Sequence, residues 1–304
     1  MSDEQPVEDL LYHVDGDLVA ASEATVNVRD RGFLYGDAAF ETMRAYGGAV
    51  FEWDAHMDRL AGTCEVLGLE HGLSTAALRA RVDETLAANG LQEAYVRLSI
   101  TRGVQPGKLT PDTDVDPTVV VIVSELPRGG RGGGPVWDGP ATLQTVKTKR
   151  VPDASIPARA KTHNYLNGIL ARLELRVSDA DEAVMVDSEG QVTEGATSNL
   201  FFVRDNALRT PSLDGPILPG ITRRVVLELA REEGIPVEEG SYTPEEIRRA
   251  DEVFLTNSTW ELRPVGTVDG LSIGEDRTGD GEGVGMAAGP VTTLLSRLFD
   301  ARVE

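Results

Sequence analysis

The residue that most needs a chemical explanation is Lys161, in the segment "ARAKTHNYLNGILAR" at residues 158–172. Only three other lysines occur in the chain, Lys108, Lys147 and Lys149, while arginine supplies nearly all the remaining positive charge. Arginine keeps its charge, whereas lysine can lose a proton and attack a carbonyl carbon. The retention of an amine at this position therefore indicates covalent chemistry.

If that chemistry were a Schiff base with pyridoxal phosphate, the cofactor would need a carboxylate beside its ring nitrogen. Glu194 lies in "VTEGATSNLFF", an otherwise apolar, small-residue strand segment. An unpaired buried carboxylate is costly, and a pyridinium partner would relieve that cost. The alternative interpretation is that Glu194 ends a hairpin strand in water.

The phosphate would need an anion site, and "LPGITRRVVLELA" offers one at the start of a predicted helix. Free backbone N–H groups and the helix dipole at Gly220, Ile221 and Thr222 favour an anion, and Thr222 adds a hydroxyl. Taken alone, the segment favours the alternative, an ordinary turn of Pro219 and Gly220 in which Thr222 caps the helix.

Further donors come from two other segments. Arg59 in "HMDRL" carries a guanidinium suited to phosphate, although a helical arginine is commonly a solvated surface residue. Asn257 and Ser258 in "LTNSTWEL" add an amide and a hydroxyl, which have no functional meaning alone.

The charge balance limits the partners. Lysine and arginine number 29 against 50 aspartates and glutamates, a formal net charge of −21. Such a chain repels nucleic acid and anionic membranes. Surface acidity with scarce lysine suggests a halophilic protein that stays soluble in concentrated salt, and an ordinary acidic protein is the alternative.

The redox and targeting signals agree on the compartment. Cys64 is the only cysteine, so no intrachain disulfide forms, and the N-terminus lacks the charged and apolar regions of a signal peptide. No apolar run is long enough to span a bilayer. We expect a cytoplasmic protein. The four histidines are scattered without metal-ligand spacing, so we expect no catalytic metal.

Residues 1–126 are predicted to form a small N-terminal domain. We expect short strands in "YHVDGDLV" and "TVNV", and two helices, "WDAHMDRLAGTCEVLGL" and "STAALRARVDETLAANG". Ser74 is the expected N-cap of the second helix and Gly90 its stop. Strands "AYVRLSITRG" and "TVVVIVSEL" complete a mostly antiparallel sheet covered by helices.

A linker rich in glycine and proline, "PRGGRGGGP" at residues 127–135, precedes a larger C-terminal domain over residues 136–304. There we expect the strand "ATLQTVKT", a helix that carries Lys161, a hairpin in "EAVMVDSEGQVTEGATSNLFFV", and helices in "TRRVVLELAREEG" and "PVTTLLSRLFDARV". The acidic, glycine-rich stretch 274–285 is predicted to be a solvated loop.

Taken in order, "HMDRL", "AKTHNYL", "TEGATSNLF", "LPGITR" and "EVFLTNS" resemble the class IV, fold-type IV, pyridoxal phosphate enzymes. These include branched-chain aminotransferases, D-amino acid aminotransferases and 4-amino-4-deoxychorismate lyases. The resemblance covers nearly the whole chain. It implies an α+β fold of two domains, with a small N-terminal α/β sandwich-like domain and a larger, β-barrel-like C-terminal domain with helices. It also implies a homodimer with sites at the subunit interface.

The resemblance assigns roles to single residues. It implies that Lys161 forms the Schiff base, that Glu194 pairs with the pyridine nitrogen and that Tyr165 hydrogen-bonds the phenolic oxygen. It further implies that Leu218 packs on the ring, and that the phosphate is held by four residues from both halves of the chain: Arg59, Ile221, Thr222 and Ser258. Gly220 and Asn257 are further cofactor-binding candidates from the segments above.

Substrate recognition is expected on the strand "AYVRLSITRG", where Tyr95, Arg97 and Ser99 share one face. Tyr95 and Arg97 resemble the carboxylate-binding pair of branched-chain aminotransferases, and the alternative is that Arg97 pairs with a surface acid. Tyr35 and Phe40 in "RGFLYGDAAFETMR" are candidate pocket walls. This segment departs from the "HYG…FEG" pattern of branched-chain enzymes and is closer to D-amino acid aminotransferases and the lyases.

We therefore expect an aminotransferase that moves an amino group between an amino acid, of branched-chain or D-amino acid type, and a 2-oxo acid such as 2-oxoglutarate. Arg97 and Arg102 are two arginines that could bind the carboxylates of both partners. The alternative is a lyase that releases 4-aminobenzoate and pyruvate from 4-amino-4-deoxychorismate. A third class, a protein that only binds or stores pyridoxal phosphate, would have no use for both Lys161 and Glu194.

Overall fold

A computed structural model describes residues 10–105, 108–112, 116–126, 137, 139–274 and 288–304. The predicted linker at 127–135 and all but the first residue of the predicted loop 274–285 lie outside these residues. The chain divides into two compact units. Unit 1 comprises residues 1–128 and 160–164, and unit 2 comprises residues 129–159 and 165–304. The segment around Lys161, which the sequence places in the C-terminal domain, thus groups with the N-terminal unit.

Unit 1 is a six-stranded antiparallel sheet with helices packed on it. Its strands, in spatial order β2-β1-β6-β5-β3-β4, are β1 Leu11–Val14, β2 Asp17–Ala20, β3 Ala38–Tyr46, β4 Ala49–Val50, β5 Ala94–Thr101 and β6 Val119–Glu125. Its helices are α1 Arg31–Tyr35, α2 Trp53–Leu67 and α3 Thr75–Ala88. The strand predicted for "TVNV" is wrong, because residues 25–28 pair with no strand and Val28 is 69% exposed.

Alternation along β5 separates the two faces of the sheet. Ala94, Val96, Leu98 and Ile100 enter the core with α2 and α3, so Tyr95, Arg97 and Ser99 lie on the opposite face. Ser74 caps α3 through a bond from the Ala77 N–H (3.2 Å), and Gly90 follows the helix at φ +64°, as predicted.

The segment 160–164 lies along the edge of β3. Ala39 and Thr162 form an antiparallel bridge, the Phe40 N–H donates to the Lys161 carbonyl (3.0 Å), and the His163 N–H donates to the Ala38 carbonyl (3.1 Å). The prediction of a helix at Lys161 is therefore wrong. The helix of this region, α4 Leu166–Leu173, begins five residues later in unit 2.

Unit 2 is built on a nine-stranded mixed sheet in the order β12-β11-β10-β13-β14-β7-β8-β9, with β15 paired to β14. Its strands are β7 Ala141–Thr145, β8 Glu182–Val186, β9 Val192–Gly195, β10 Asn199–Arg204, β11 Ala207–Pro211, β12 Val237–Gly240, β13 Glu252–Asn257, β14 Glu261–Val268 and β15 Leu271–Ser272. After α4 come α5 Ile221–Glu232, α6 Pro244–Arg248 and α7 Pro290–Val303. The α+β fold class is confirmed.

Inside unit 2 the strands β8, β9, β10, β11, β13 and β14 are mostly buried, whereas β12 and β15 are more exposed, and α5 and α7 cover the sheet. β8 and β9 form the predicted hairpin. Among the described residues, no helix is both long and apolar enough to span a membrane.

Candidate functional site

In unit 1, the main chain of Lys161 is held on both sides. Its carbonyl accepts from the Phe40 N–H, and its own N–H donates to Thr63 Oγ1 at 3.0 Å. The side chain is half-buried and its Nζ lies 4.5 Å from the centroid of the Phe40 ring. The position of the amine is thus set by a strand edge on one side and by α2 on the other.

Around Phe40 the structure brings together several polar groups on one face of the sheet. The Arg97 guanidinium carbon lies 3.8 Å from the Phe40 centroid, and the His163 ring meets Phe40 edge-on at 5.4 Å. His163 Nε2 is 3.3 Å from Ser99 Oγ. Burial and the nearby Arg97 charge lower the pKa of His163 to about 4, so its imidazole is neutral at physiological pH.

Arg59 pairs with a carboxylate that the sequence reasoning missed. Its Nε donates to Glu41 Oε1 (2.8 Å) and its Nη2 to Glu41 Oε2 (2.6 Å), while His56 Nδ1 lies 2.8 Å from Glu41 Oε2. Burial alone would raise the pKa of Glu41, but the Arg59 charge and the hydrogen bonds from Arg59 and His56 lower it to about 2. A buried, ionised Glu41 therefore fixes the direction of the Arg59 guanidinium.

Arg102 does not lie free for a substrate carboxylate. It is 3% exposed, donates to Asp37 through Nε (2.8 Å) and Nη2 (3.1 Å), and binds the Leu67 and Gly68 carbonyls at the end of α2. The expectation that it receives substrate is wrong, because these buried contacts use its donors.

The two tyrosines predicted to contact the substrate, Tyr35 and Tyr95, take different positions. Tyr35 ends α1, is 38% exposed and lies under the Arg31 guanidinium at 4.9 Å. Tyr95 is half-buried on β5, on the same face as Arg97, and is paired across the sheet with Arg44. The structure thus brings Lys161, Phe40 and Arg97 together and leaves Tyr35 outside this contact.

In unit 2, Glu194 is buried at the end of β9 and is not a solvated strand end. Arg150 lies 3.0 Å from Glu194 Oε1 through both Nε and Nη2. Glu194 Oε2 accepts from the Leu218 N–H (3.0 Å) and from Asn199 Nδ2 (3.4 Å). A buried, ionised carboxylate of this kind is suited to pair with a protonated ring nitrogen.

The start of α5 fits an anion. Gly220 is the N-cap and makes no side-chain cap bond, so Thr222 lies inside the helix and is not its cap. The first N–H groups of a helix have no intrahelical partner, and both Ile221 and Thr222 are buried here. A Cβ at Gly220 would collide with the amide oxygen of Asn199, so only glycine fits.

The remaining predicted residues of unit 2 lie at the ends of elements. Asn257 Oδ1 accepts from the N–H groups of Thr259 (3.0 Å) and Trp260 (2.7 Å), which forms the turn that contains Ser258. Just before it, the buried Thr256 hydroxyl has no hydrogen-bond partner among the described residues. Tyr165 immediately precedes α4. The glycine N-cap and the Thr222 hydroxyl suit a phosphate, and the buried Glu194 carboxylate suits a pyridinium.

Sequence reasoning missed Glu41, Thr63, Arg150 and Asn199. Glu41 had a signal, since it is a charged residue in a strand of otherwise buried positions. Thr63 and Arg150 had none, because Lys161 and Glu194, which they bind, lie 98 and 44 residues away. Asn199 had none because no local pattern marks its amide as a partner of Glu194 or Leu218.

Comparison with known proteins identifies the family. The profile "Amino-transferase class IV" matches residues 38–268. A Methanocaldococcus jannaschii protein named "Putative branched-chain-amino-acid aminotransferase" is 38% identical and covers 88% of this chain and 91% of its own length. The aminodeoxychorismate lyase of Bacillus subtilis is 32% identical and covers 97% and 95%.

Solved structures agree. The branched-chain aminotransferase of Escherichia coli superimposes with a TM-score of 0.85 at 30% identity, over 96% of this chain and 94% of that one. With such coverage in both sequence and structure, the chain belongs to the class IV aminotransferases, the family of pyridoxal-phosphate-dependent enzymes that also includes aminodeoxychorismate lyases.

Proposed function

We propose that the protein binds pyridoxal phosphate and transfers an amino group between a branched-chain or D-amino acid and a 2-oxo acid such as 2-oxoglutarate. The observation that carries this proposal is the contact of Arg97 and Lys161 with the one Phe40 ring, which joins a carboxylate-binding group to the reactive amine. The similarity to aminotransferases supports it.

Each residue has a proposed task. When bound, pyridoxal phosphate supplies a ring that withdraws electrons from the substrate carbon. Lys161 would hold the cofactor through its amine, and the same amine would move the proton of the carbon beside the substrate nitrogen. Glu194 holds a proton at the ring nitrogen, and Arg150 and Leu218 orient the Glu194 carboxylate.

The phosphate is assigned to the start of α5, with Thr222 as hydroxyl donor, and to Arg59 in the orientation that Glu41 sets. Ser258, held in the Asn257 turn, adds a further donor. Tyr165 is assigned to the phenolic oxygen and Leu218 to the face of the ring.

Arg97 is proposed to bind the carboxylate of the substrate. The guanidinium carbon lies 3.8 Å from the centre of the Phe40 ring, and the planar fork of N–H donors is suited to bidentate binding of a carboxylate. Tyr95 and Ser99 share its face. Phe40 and Tyr35 are assigned to the substrate pocket.

A lyase acting on 4-amino-4-deoxychorismate is the second candidate, supported by the 32% identity to the Bacillus subtilis lyase. It would use the same Lys161 and Glu194, and Arg97 would bind a substrate carboxylate there too. The two reactions differ in their need for an amino acceptor.

We also propose a homodimer. α4 exposes Leu166, Ile169, Leu170 and Leu173, and Val177 just beyond it is 94% exposed. A contiguous apolar face of this kind is typical of an interface between copies. The proposed compartment is the cytoplasm.

The deciding experiment measures the need for an acceptor. The enzyme with pyridoxal phosphate is given L-leucine, L-valine or D-alanine, with and without 2-oxoglutarate, and glutamate is measured over many turnovers. We expect sustained glutamate only when acceptor is present, with one enantiomeric series of donors preferred. Sustained release of pyruvate from 4-amino-4-deoxychorismate without acceptor, and no acceptor-dependent use of amino acids, would establish the lyase. Lys161→Ala is the inactive control.

A further inference from the structure

Thr63 lies on α2, four residues after Arg59, and is fully buried. Its hydroxyl donates to the Arg59 carbonyl at 3.0 Å and accepts the Lys161 N–H at 3.0 Å. One hydroxyl thus uses its single donor and one acceptor position to join a helix to the segment that carries the reactive lysine.

The direction of the Lys161 N–H explains why an acceptor is needed there. In the pairing of 160–164 with β3, the donors are the N–H groups of Phe40 and His163, and the Lys161 N–H points away from the strand. A buried backbone N–H is costly without an acceptor. Thr63 supplies that acceptor from α2.

The bonds form a closed circuit within unit 1. Lys161 binds Thr63, Thr63 binds the Arg59 carbonyl, and the Arg59 side chain binds Glu41. Glu41 follows Phe40 in β3, and the Phe40 N–H returns to the Lys161 carbonyl. A shift of the Lys161 main chain relative to Arg59 would therefore break at least one bond of the circuit.

We propose that Thr63 is a positioning residue, because its hydroxyl fixes the Lys161 main chain relative to α2. The distance between the Lys161 main chain and Arg59 is thereby kept constant. The inference rests on the proposed role of Lys161 as the cofactor-bearing lysine. Thr63 itself touches neither substrate nor cofactor.

The test compares two variants that remove different parts of the side chain. Thr63→Val keeps the shape and removes the hydroxyl, while Thr63→Ser keeps the hydroxyl and removes the methyl. Thr85→Val is the matched control, because Thr85 is also fully buried in unit 1 and bonds the carbonyl four residues earlier, that of Arg81 (2.6 Å).

Two measurements are made on each protein. With ¹⁵N-lysine, the four lysines give four amide signals, and the exchange rate of the Lys161 amide is followed without cofactor. Separately, pyridoxal phosphate is added, the adduct is reduced with borohydride, and its rate of formation at Lys161 is measured by peptide mapping. We expect Thr63→Val to speed amide exchange and slow adduct formation, each about tenfold, since misplacement of a reacting group by a fraction of an ångström is costly. Thr63→Ser and Thr85→Val are expected to stay close to the parent protein.

Equal amide exchange in Thr63→Val and the parent would overturn the proposal, as would Thr63→Ser being more impaired than Thr63→Val, which indicates packing of the methyl group. If Thr63→Val does not fold, Thr63→Ala takes its place in the same comparison with Thr63→Ser. If the parent forms no adduct at Lys161, the proposed function fails, and the amide exchange still decides the role of Thr63.

Discussion

The Arg97 guanidinium lies 3.8 Å from the centre of the Phe40 ring, on the one face of the unit 1 sheet that also holds Lys161 and His163. Arg102, only five residues along the chain, is instead buried against Asp37 and the end of α2. Two arginines that look alike in sequence therefore have different tasks, one available for binding and the other structural.

This contrast predicts opposite effects of the same substitution. Arg97→Lys removes the planar fork and the stacking, so we expect the KM for 2-oxoglutarate to rise about tenfold with little change in stability. Arg102→Lys keeps the charge but removes the guanidinium that bonds Asp37 and the Leu67 and Gly68 carbonyls together, so we expect a loss of about 3 kcal/mol in the free energy of unfolding with KM nearly unchanged. Steady-state kinetics and urea unfolding measure both. A stability loss in Arg97→Lys equal to that in Arg102→Lys would contradict the assignment.

Lys161 is predicted to be the only lysine that takes up pyridoxal phosphate. Lys161→Ala should abolish both the borohydride-trapped adduct and turnover, because no other lysine of the described residues lies on this strand edge. Lys147→Ala, at an exposed position, is the control and should retain both. Peptide mapping that found the adduct on Lys147 or Lys149 would refute the prediction.

Glu194→Gln should retain the cofactor but slow proton removal from the substrate about a hundredfold, the scale expected when a preorganised charge partner is lost. The substituted amide still accepts from Arg150, so the fold should persist. Single-turnover kinetics measure the step. Glu182→Gln, which changes another fully buried carboxylate of unit 2, bonded to Thr197 (2.6 Å), is the control for burial. An unchanged rate in Glu194→Gln would exclude the proposed role.

His163 predicts a pH dependence of stability. Because its pKa is about 4 in the folded protein and near 6.5 when unfolded, the unfolded chain binds more protons between these values. Stability is therefore lost as the pH falls through this window. We expect His163→Gln to remove a part of that loss on the order of 2 kcal/mol between about pH 7 and about pH 4.5. Urea unfolding at both pH values measures it, and a difference between the proteins that does not change with pH would contradict it.

Salt should stabilise the protein, because a net charge of −21 causes self-repulsion that ions screen over about 3 Å at about 1 M. We expect a higher Tm in molar potassium chloride than in dilute buffer. Sucrose at the same osmolality is the control, since it strengthens burial without screening charge. Equal Tm values in salt and in dilute buffer would count against a halophilic origin.

The elements that could be predicted from the sequence are those with strong local signals. α7 was predicted at its observed bounds, Pro290–Val303, because proline at its start and an apolar period define it locally. Ser74 was recognised as a cap for the same reason. The sequence also indicates separate chemical roles for Lys161, Phe40 and Arg97, but no local pattern predicts that the three lie together.

The contacts that the sequence did not predict join residues on different elements of the fold. Lys161 lies beside helical sequence, yet its segment pairs with β3, more than a hundred residues earlier in the chain. Arg59 lies on α2, but the carboxylate that fixes it is Glu41 on β3, and Arg150 reaches Glu194 from 44 residues away. No local pattern reports such pairings, so these contacts could be found only in the folded chain.

Gly220 and Asn199 limit which substitutions the other position can accept. The backbone at Gly220, with φ −66° and ψ 136°, is one that any residue adopts, so glycine is required only by the space that Asn199 fills. Asn199 cannot shrink without releasing the Leu218 carbonyl, which it holds at 3.0 Å. Neither position can change alone without loss, and descendants of this chain should therefore keep the pair together or exchange both residues jointly.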